Sequence, residues 1–263
     1  MNRYWLFLPC LGVLAGVSLP GAQPKTPRVL TFYSTDVERD HVDFALEALG
    51  FYSGAALHGH YGFAATTRWD DLNPERLKDV DLVLWLNDSP RNEGQRRAFE
   101  QYMEHGGGWI GFHAAGYNDR STHWPWFVQF LGTVFYGNNW PPLPARLRVD
   151  NRENSATRQM PESFLSPANE WYSWSPVPRA NKDIQVWMTL EPSNFPLGMK
   201  DTLTGGDIPV VWSNTRYRML YVNMGHGARI FDSSEQNRFL DEALGWALVR
   251  RRPAPGHQIA AQP

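Results

Sequence analysis

The alternation of short apolar segments with amphipathic segments in the first half of the chain constrains the fold most. Strands are predicted at residues 28–33, 63–69, 81–86 and 109–113. The third of these runs, Asp-Leu-Val-Leu-Trp-Leu, is almost entirely apolar, which is typical of a strand buried on both faces of a parallel sheet. Because parallel strands need right-handed crossovers, the pattern predicts a doubly wound α/β sheet.

Helices are predicted between these strands. Residues 40–49 have the helical spacing of apolar side chains, and we expect this helix to end at Gly50. Asn92, followed by Gln95 three positions later, is a capping-box pattern that opens a further helix. Other helices are predicted at residues 74–78 and 235–250.

The middle of the chain differs in character. Residues 140–206 are rich in Pro and Asn, with strand-like pieces at 145–149, 170–174 and 184–190. We expect an antiparallel extension with loops over one face of the sheet, closed by a hairpin of residues 208–212 and 218–223. No internal repeat or linker divides residues 28–250, so one domain is predicted.

The two ends of the chain are expected to lie outside this domain. Residues 1–22 contain Arg3, an apolar run and then Pro-Gly-Ala, a pattern typical of a secretory signal peptide. The run is short for a membrane-spanning helix, so we expect an exported, periplasmic or secreted protein without a stable membrane span. Cys10 is the only cysteine, and the mature chain would have no thiol. Residues 251–263 are expected to be disordered.

Charge and tryptophan content narrow the range of partners. The net charge is −2, which leaves no surplus of positive charge for nucleic acid. Trp is suited both to cores and to stacking on sugar rings, and the chain has 12 of them. The candidates for stacking are Trp124, Trp126, Trp140, Trp171 and Trp174. Packing in the core is the alternative for each.

Histidines at predicted strand ends are the main candidates for chemistry. His113 ends the fourth strand, and His226 lies between two glycines after the strand at 218–223. His41, near the start of the first helix, is placed to reach the same crevice. Each can act as an acid, a base or a ligand. The alternatives are a hydrogen bond across a turn for His113, a surface turn for His226 and a solvated helix position for His41.

Glu170 is the candidate carboxylate. It begins the aromatic segment Glu-Trp-Tyr-Ser-Trp, where it can serve as an acid or base or fix the tautomer of a histidine. An exposed strand glutamate is the alternative. His113, His226 and Glu170 together also suit a divalent first-row ion such as zinc, although no local ligand spacing fixes a cofactor.

Four blocks together resemble the ThuA-like (trehalose utilisation) family over about residues 28–248. They are Gly-Gly-Gly-Trp-Ile-Gly-Phe-His-Ala-Ala at 106–115, Glu-Trp-Tyr at 170–172, Pro-Val-Val-Trp at 209–212 and Tyr-Val-Asn-Met-Gly-His at 221–226. The resemblance implies a flavodoxin-like sheet, similar to class I glutamine amidotransferases but with His113 in place of the nucleophilic cysteine.

The same resemblance implies a role in carbohydrate metabolism with a small sugar as ligand, including trehalose-like disaccharides and their keto forms. By this resemblance, His41 matches a histidine after the first strand and Asn87 a polar residue after the third. Asn87, His41, Tyr172, Trp171 and Trp124 are therefore the candidate substrate-binding residues. After Phe135, where the family often has a His-Pro pair, this chain has Tyr-Gly-Asn-Asn-Trp-Pro. We therefore expect an enzyme that processes a disaccharide, glycoside or keto-sugar in the crevice of His113, His226 and Glu170. The alternative is a non-catalytic periplasmic sugar-binding or scaffold protein.

Overall fold

A computed structural model describes residues 25–59, 61–119, 121–193 and 206–249. The predicted signal peptide and the predicted disordered tail lie outside these residues. None of the helices within the described ranges is long and apolar enough to cross a membrane.

Eleven strands and five helices form the described part of the chain. The strands are β1 (Arg28–Phe32), β2 (Gly62–Thr66), β3 (Leu82–Trp85), β4 (Gly108–Phe112), β5 (Val134–Asn138), β6 (Leu143–Val149), β7 (Ser163–Asn169), β8 (Tyr172–Ser175), β9 (Ile184–Leu190), β10 (Pro209–Asn214) and β11 (Arg218–Val222). The helices are α1 (Arg39–Gly59), α2 (Pro74–Leu77), α3 (Glu93–Glu104), α4 (Pro125–Leu131) and α5 (Ser234–Leu248).

The parallel half of the large sheet has the predicted doubly wound topology. Its strand order is β2-β1-β3-β4-β11, and every neighbouring pair is parallel. This is the flavodoxin-like order, and the chain changes direction across the sheet between β1 and β3. In such sheets ligands bind beyond the carboxyl ends of the strands at this switch point.

The antiparallel extension lengthens the sheet at one edge. Strands β10, β9, β6 and β7 follow β11 in that order, each antiparallel to its neighbour, to give nine strands. The predicted antiparallel extension, closed by the hairpin of β10 and β11, is therefore confirmed. Only β5 and β8 leave the sheet, as a separate antiparallel pair.

Helix α1 does not end at Gly50 as predicted, but continues to Gly59. The apolar face that begins with Phe44 is extended by Tyr52, which is fully buried. A Cβ at Gly50 would meet nothing within 4 Å, so the glycine occupies an open position. Burial of the helix face outweighs the roughly 1 kcal/mol by which a helical glycine is less favourable than alanine.

Asparagine side chains cap the starts of α2 and α3. The side chains of Asn92 and Gln95 form the capping box at the start of α3, and Asn73 caps α2. Helix α5 buries Phe239, Leu240, Ala243, Leu244 and Ala247, as the periodicity predicts. These helices cover both faces of the sheet and leave its carboxyl edge open for a site.

Candidate functional site

Three histidines converge beyond the carboxyl ends of the parallel strands. His113 directly follows β4, His226 lies after β11, and His41 is in the first turn of α1. The ring centroids are 5.1 Å apart for His41 and His113, 5.0 Å for His41 and His226, and 5.5 Å for His113 and His226. The fold thus brings together the three histidines selected from the sequence.

His113 is held in a strained and fully buried position. Its φ of 44° lies in the left-handed region, which is unusual for a residue with a side chain. Its Nδ1 lies 2.9 Å from the backbone oxygen of Asn223. Because that oxygen can only accept, Nδ1 carries the hydrogen and Nε2 has the lone pair. Tyr172 stacks against the ring, with centroids 4.1 Å apart.

The lone pair of His113 faces a carboxylate. Nε2 of His113 is 3.3 Å from Oε2 of Glu170, and Nε2 of His226 is 4.0 Å from the same oxygen. The other carboxylate oxygen of Glu170 accepts a hydrogen bond from the side-chain amide of Asn138. Burial raises the pKa of Glu170, and the nearby His226 and His41 oppose that shift.

Acidic residues at the start of α1 lie next to the other two histidines. Nδ1 of His41 is 3.8 Å from Glu38, and Nδ1 of His226 is 3.8 Å from Asp40. The backbone amide of His226 donates to Oδ1 of Asn169, which fixes the loop after β11. Nε2 of His41 and Nε2 of His226 are buried and form no hydrogen bond within the described residues.

Burial keeps two of the imidazoles neutral. It lowers the pKa of His41 to about 4, and the neighbouring His113 and His226 lower it further against the pull of Glu38 and Glu170. Burial, with the nearby His226, also lowers the pKa of His113 well below its usual range. At neutral pH both rings are therefore uncharged bases.

Asn87 supports the site from the end of β3. Its Oδ1 accepts from the backbone N–H of Ser34 at 2.8 Å, and its Nδ2 donates to the backbone oxygens of Ser34 and His41 at 2.9 and 3.1 Å. The side-chain amide therefore ties the end of β1 to the first turn of α1. Asn87 lines the crevice, but its hydrogen bonds position His41.

Three of the tryptophans selected from the sequence lie in the core and not in the crevice. Trp174 is 1 % exposed, and its ring meets those of Trp212 and Tyr221 edge-on. Trp171 is fully buried, and its indole N–H donates to the backbone oxygen of Leu143. Trp124 is 5 % exposed and stacks on Phe127, with centroids 4.7 Å apart. Packing buries the apolar rings of all three, so the expectation that Trp124, Trp171 and Trp174 stack on a sugar is wrong.

A crevice of about 430 Å³ opens over the cluster, a volume typical of small-molecule sites. Its lining includes Glu38, His41, Asn87, Asn138, Glu170 and Tyr172. A larger concavity of about 490 Å³ lies at the opposite end of the sheet around Arg218. The Arg218 guanidinium there donates to three backbone oxygens, so it serves the fold, and we place the candidate site at the histidine end.

Sequence reasoning did not select four residues that support the site. Asn223 lies directly after β11, a strand end at which a polar residue could have been noticed. Asn138, Asn169 and Glu38 gave no comparable signal. Asn169 belongs to the irregular middle region and Asn138 lies just before it, and the proximity of both to the site depends on long-range chain folding.

These features define a flavodoxin-like α/β protein with a histidine directly after the fourth parallel strand. The trehalose utilisation (ThuA) family matches residues 28–247, and the chain belongs to this family. Membership indicates a carbohydrate-related function. No curated protein matches the chain.

Solved structures support both the family and the fold. A chain described as ThuA-like from Bacteroides uniformis is 48 % identical, with a TM-score of 0.81 over 88 % of this chain and 95 % of that one. A ThuA-like chain from Parabacteroides merdae is 14 % identical, with a TM-score of 0.63 over 86 % and 91 %. A chain described as a GMP synthase subunit from Thermoplasma acidophilum is 6 % identical, with a TM-score of 0.54 over 86 % and 96 %. The last two show the fold alone, which is that of the glutamine amidotransferases.

Proposed function

We propose that this protein is an exported enzyme that processes a disaccharide, glycoside or keto-sugar in the histidine and glutamate crevice. The observation that carries the proposal is the 3.3 Å approach of Glu170 Oε2 to His113 Nε2. Both atoms are acceptors when the imidazole is neutral and the carboxyl is ionised. A proton held between them relieves this contact, so the pair is suited to acid/base chemistry.

Glu170 is the member of the pair that faces the substrate. It lines the crevice, whereas His113 is fully buried behind it. The raised pKa of Glu170 favours a carboxyl group that gives its proton to a sugar oxygen and then takes one back. In this scheme His113 supports the carboxyl group from behind, and His226 lies near the same oxygen.

Export is proposed from the sequence of residues 1–22. Arg3, the apolar run and the Pro-Gly-Ala segment are the features of a secretory signal. The amino terminus of the protein recovered from a cell fraction outside the cytoplasm tests this. A mature terminus near residue 23 is expected, and an uncleaved chain in the cytoplasm would contradict it.

The catalytic proposal is tested by turnover of a panel of oxidised and unoxidised disaccharides. Glu170→Gln keeps the shape of the side chain but cannot transfer a proton, so we expect kcat to fall by about 10²- to 10⁴-fold. Glu47→Gln, at an exposed position on α1, is the matched control and should behave as wild type. Equal kcat in the Glu170 variant and wild type would rule out this role.

A non-catalytic sugar-binding protein is the second candidate, favoured by exposed aromatic residues near the crevice. Trp140 is 69 % exposed beside His226, and Tyr117, which lines the crevice, is 42 % exposed. Such rings offer flat apolar faces to sugars. Saturable quenching of intrinsic fluorescence by a sugar that is not turned over would support this candidate. Turnover of the same sugar would support the enzyme.

A further inference from the structure

We propose that the crevice binds one divalent first-row transition-metal ion, such as Zn²⁺, between the side chains of His41, His113, His226 and Glu170. The proposal deepens the proposed function because it uses the same crevice. The ion would take the place of the proton between Glu170 and His113, so Glu170 would be an ionised ligand when the ion is bound and a proton donor in the metal-free protein. Only the role of the ion in a reaction rests on the proposed function. The argument that the ion binds comes from the donor atoms themselves.

The spacing of the rings fits a single ion. At a metal–nitrogen distance of about 2.0–2.1 Å, a ring centroid lies about 3.2 Å from the metal, and two rings at a tetrahedral angle are about 5.2 Å apart. The three observed centroid separations are 5.0, 5.1 and 5.5 Å. The imidazoles therefore already have the mutual distances of a three-histidine site.

The donor atoms are close enough to share an ion. One ligand atom each from His41, His113 and Glu170 lie within 4.8 Å of one another, and Nε2 of His226 is 4.0 Å from Oε2 of Glu170. Ligands of a tetrahedral zinc ion are about 3.3 Å apart. A contraction of at most about 1.5 Å would bring His41, His113 and Glu170 to this spacing. His226, whose ligand atom is grouped with those of His41 and Glu38, would join them by rotation of its side chain toward Glu170.

The Nδ1 nitrogens of the three histidines lie near the kinds of group that metal-binding histidines use as second partners. Metal-bound imidazoles almost always present the second ring nitrogen to a carboxylate or a backbone oxygen. Here Nδ1 of His113 meets the oxygen of Asn223. Nδ1 of His41 and of His226 lie 3.8 Å from Glu38 and Asp40. Nδ1 of His113 is therefore already bonded as in a metal site, and Nδ1 of His41 and of His226 each have a carboxylate close by.

The Nε2 nitrogens of His41 and His226 are buried without a hydrogen-bond partner within the described residues. Nε2 of His226, on a side chain that is 1 % exposed, is 3.6 Å from Glu38 and forms no hydrogen bond. Nε2 of His41 likewise has no partner within the described residues. Buried polar atoms without partners are uncommon and call for an explanation. A cation at the centre would give both nitrogens, and Nε2 of His113, a partner.

The chemistry of the donors selects the class of ion. Imidazole nitrogen with one carboxylate suits zinc and its first-row neighbours, whereas Mg²⁺ and Ca²⁺ prefer oxygen ligands. Three histidines and one carboxylate fill a tetrahedral site, which would expand to five-coordinate on the crevice side to take a water or a substrate oxygen. Glu38 also forms a group of ligand-bearing residues with His41 and His226, but its side chain is 51 % exposed, so we assign it to the outer shell.

The test is direct metal binding to full-length protein purified without an affinity metal and then treated with chelator. Zn²⁺ and Co²⁺ are titrated separately, because Co²⁺ reports four-coordinate nitrogen and oxygen ligation by its visible absorption. We expect one ion per chain. His41→Ala, His226→Ala and Glu170→Gln should each weaken the affinity by at least about 100-fold, more than the roughly 10- to 100-fold expected for the outer-shell change Glu38→Gln.

His58→Ala is the matched control, since His58 is an exposed histidine on the same helix as His41; its affinity should equal that of wild type. Circular dichroism establishes that each variant is folded. Failure of the folded wild type to bind either ion, or equal affinity in the His41, His226 and Glu170 variants, would overturn the proposal. Stoichiometric binding without sugar turnover would leave the metal site intact and refute the enzyme. Turnover unchanged in the chelator-treated protein would support the enzyme and show that the ion takes no part in its reaction.

Discussion

A Cβ atom on Gly225 would lie only 2.5 Å from Cβ of His113. Side-chain atoms are not found this close, so Gly225→Ala must displace the strained His113 or the loop that carries His226. We expect a loss of stability of about 1–3 kcal/mol and loss of function in the crevice. Chemical denaturation and metal titration measure the two effects.

Gly245→Ala is the control for this substitution. Gly245 is exposed on α5, and a Cβ there would meet nothing within 4 Å. Replacing a helical glycine by alanine should raise the free energy of unfolding by about 0.5–1 kcal/mol and leave the crevice unchanged. If both variants changed stability in the same direction, the close approach at His113 would not be the cause.

Asn87→Leu should disturb the site through His41. The substitution removes three hydrogen bonds to the backbone of Ser34 and His41 and leaves buried polar groups unpaired, which costs about 2–4 kcal/mol. We also expect weaker metal binding, because α1 loses its tie to the end of β3. Asn87→Asp keeps the acceptor for Ser34 but turns the donor into a buried charged acceptor that faces the backbone oxygens of Ser34 and His41, so it should lose at least as much stability. Wild-type stability in Asn87→Asp would contradict the role of the amide donor.

Much of the fold was predictable because local patterns determine it. The apolar run of β3 and the capping box of α3 each predict their element from a few neighbouring residues. Helix α4 was missed because Trp124-Pro-Trp gives no helical periodicity, although Pro125 occupies the first helical position. Strand β7, which contains Ser163–Asn169, was missed because its pairing with β6 is what makes it a strand.

The candidate site, like the fold, was predictable only where a local pattern determines the position of a residue. His113 and His226 were found because residues at the carboxyl ends of parallel strands meet at one edge. Asn138 was missed because it reaches Glu170 only through the pairing of β5 with β8. The failed tryptophan predictions have a related cause, since an apolar ring serves a core and a sugar site equally well until burial is known.

The stability of the chelator-treated protein should fall as the pH is lowered from about 6.5 to 4. His41 has a pKa of about 4 in the folded chain and an ordinary pKa near 6.5 when unfolded. The unfolded chain therefore binds more protons in this window, and the free energy of unfolding falls with pH. The groups around His41 that enter this balance are Glu38, Glu170, His113 and His226.

His41 alone would contribute about 3 kcal/mol to this fall, and denaturation with urea across the window measures it. In His41→Gln the fall should be smaller by that amount. His113 contributes to the fall that remains, and Glu170, whose pKa is raised in the folded chain, opposes it. Carboxylates with a lowered pKa lose their stabilising charge mainly below about pH 4, so they act outside the window. Identical pH dependence in wild type and variant would contradict a buried neutral His41.

Trp140→Ala should weaken sugar binding and leave the fold intact. The ring is 69 % exposed and stands edge-on to His226, with centroids 6.4 Å apart, so it offers an aromatic face near the crevice. Loss of one stacking ring should lower sugar affinity by about tenfold, whereas removal of an exposed side chain should change stability by less than about 0.5 kcal/mol.

Trp140→Phe, which keeps a flat apolar face, should retain part of the affinity. Leu57→Ala, at an 84 % exposed position on α1, is the control for removing exposed apolar surface. Fluorescence titration of all four proteins with the same disaccharide decides the matter, because equal affinities would show that Trp140 does not contact the sugar.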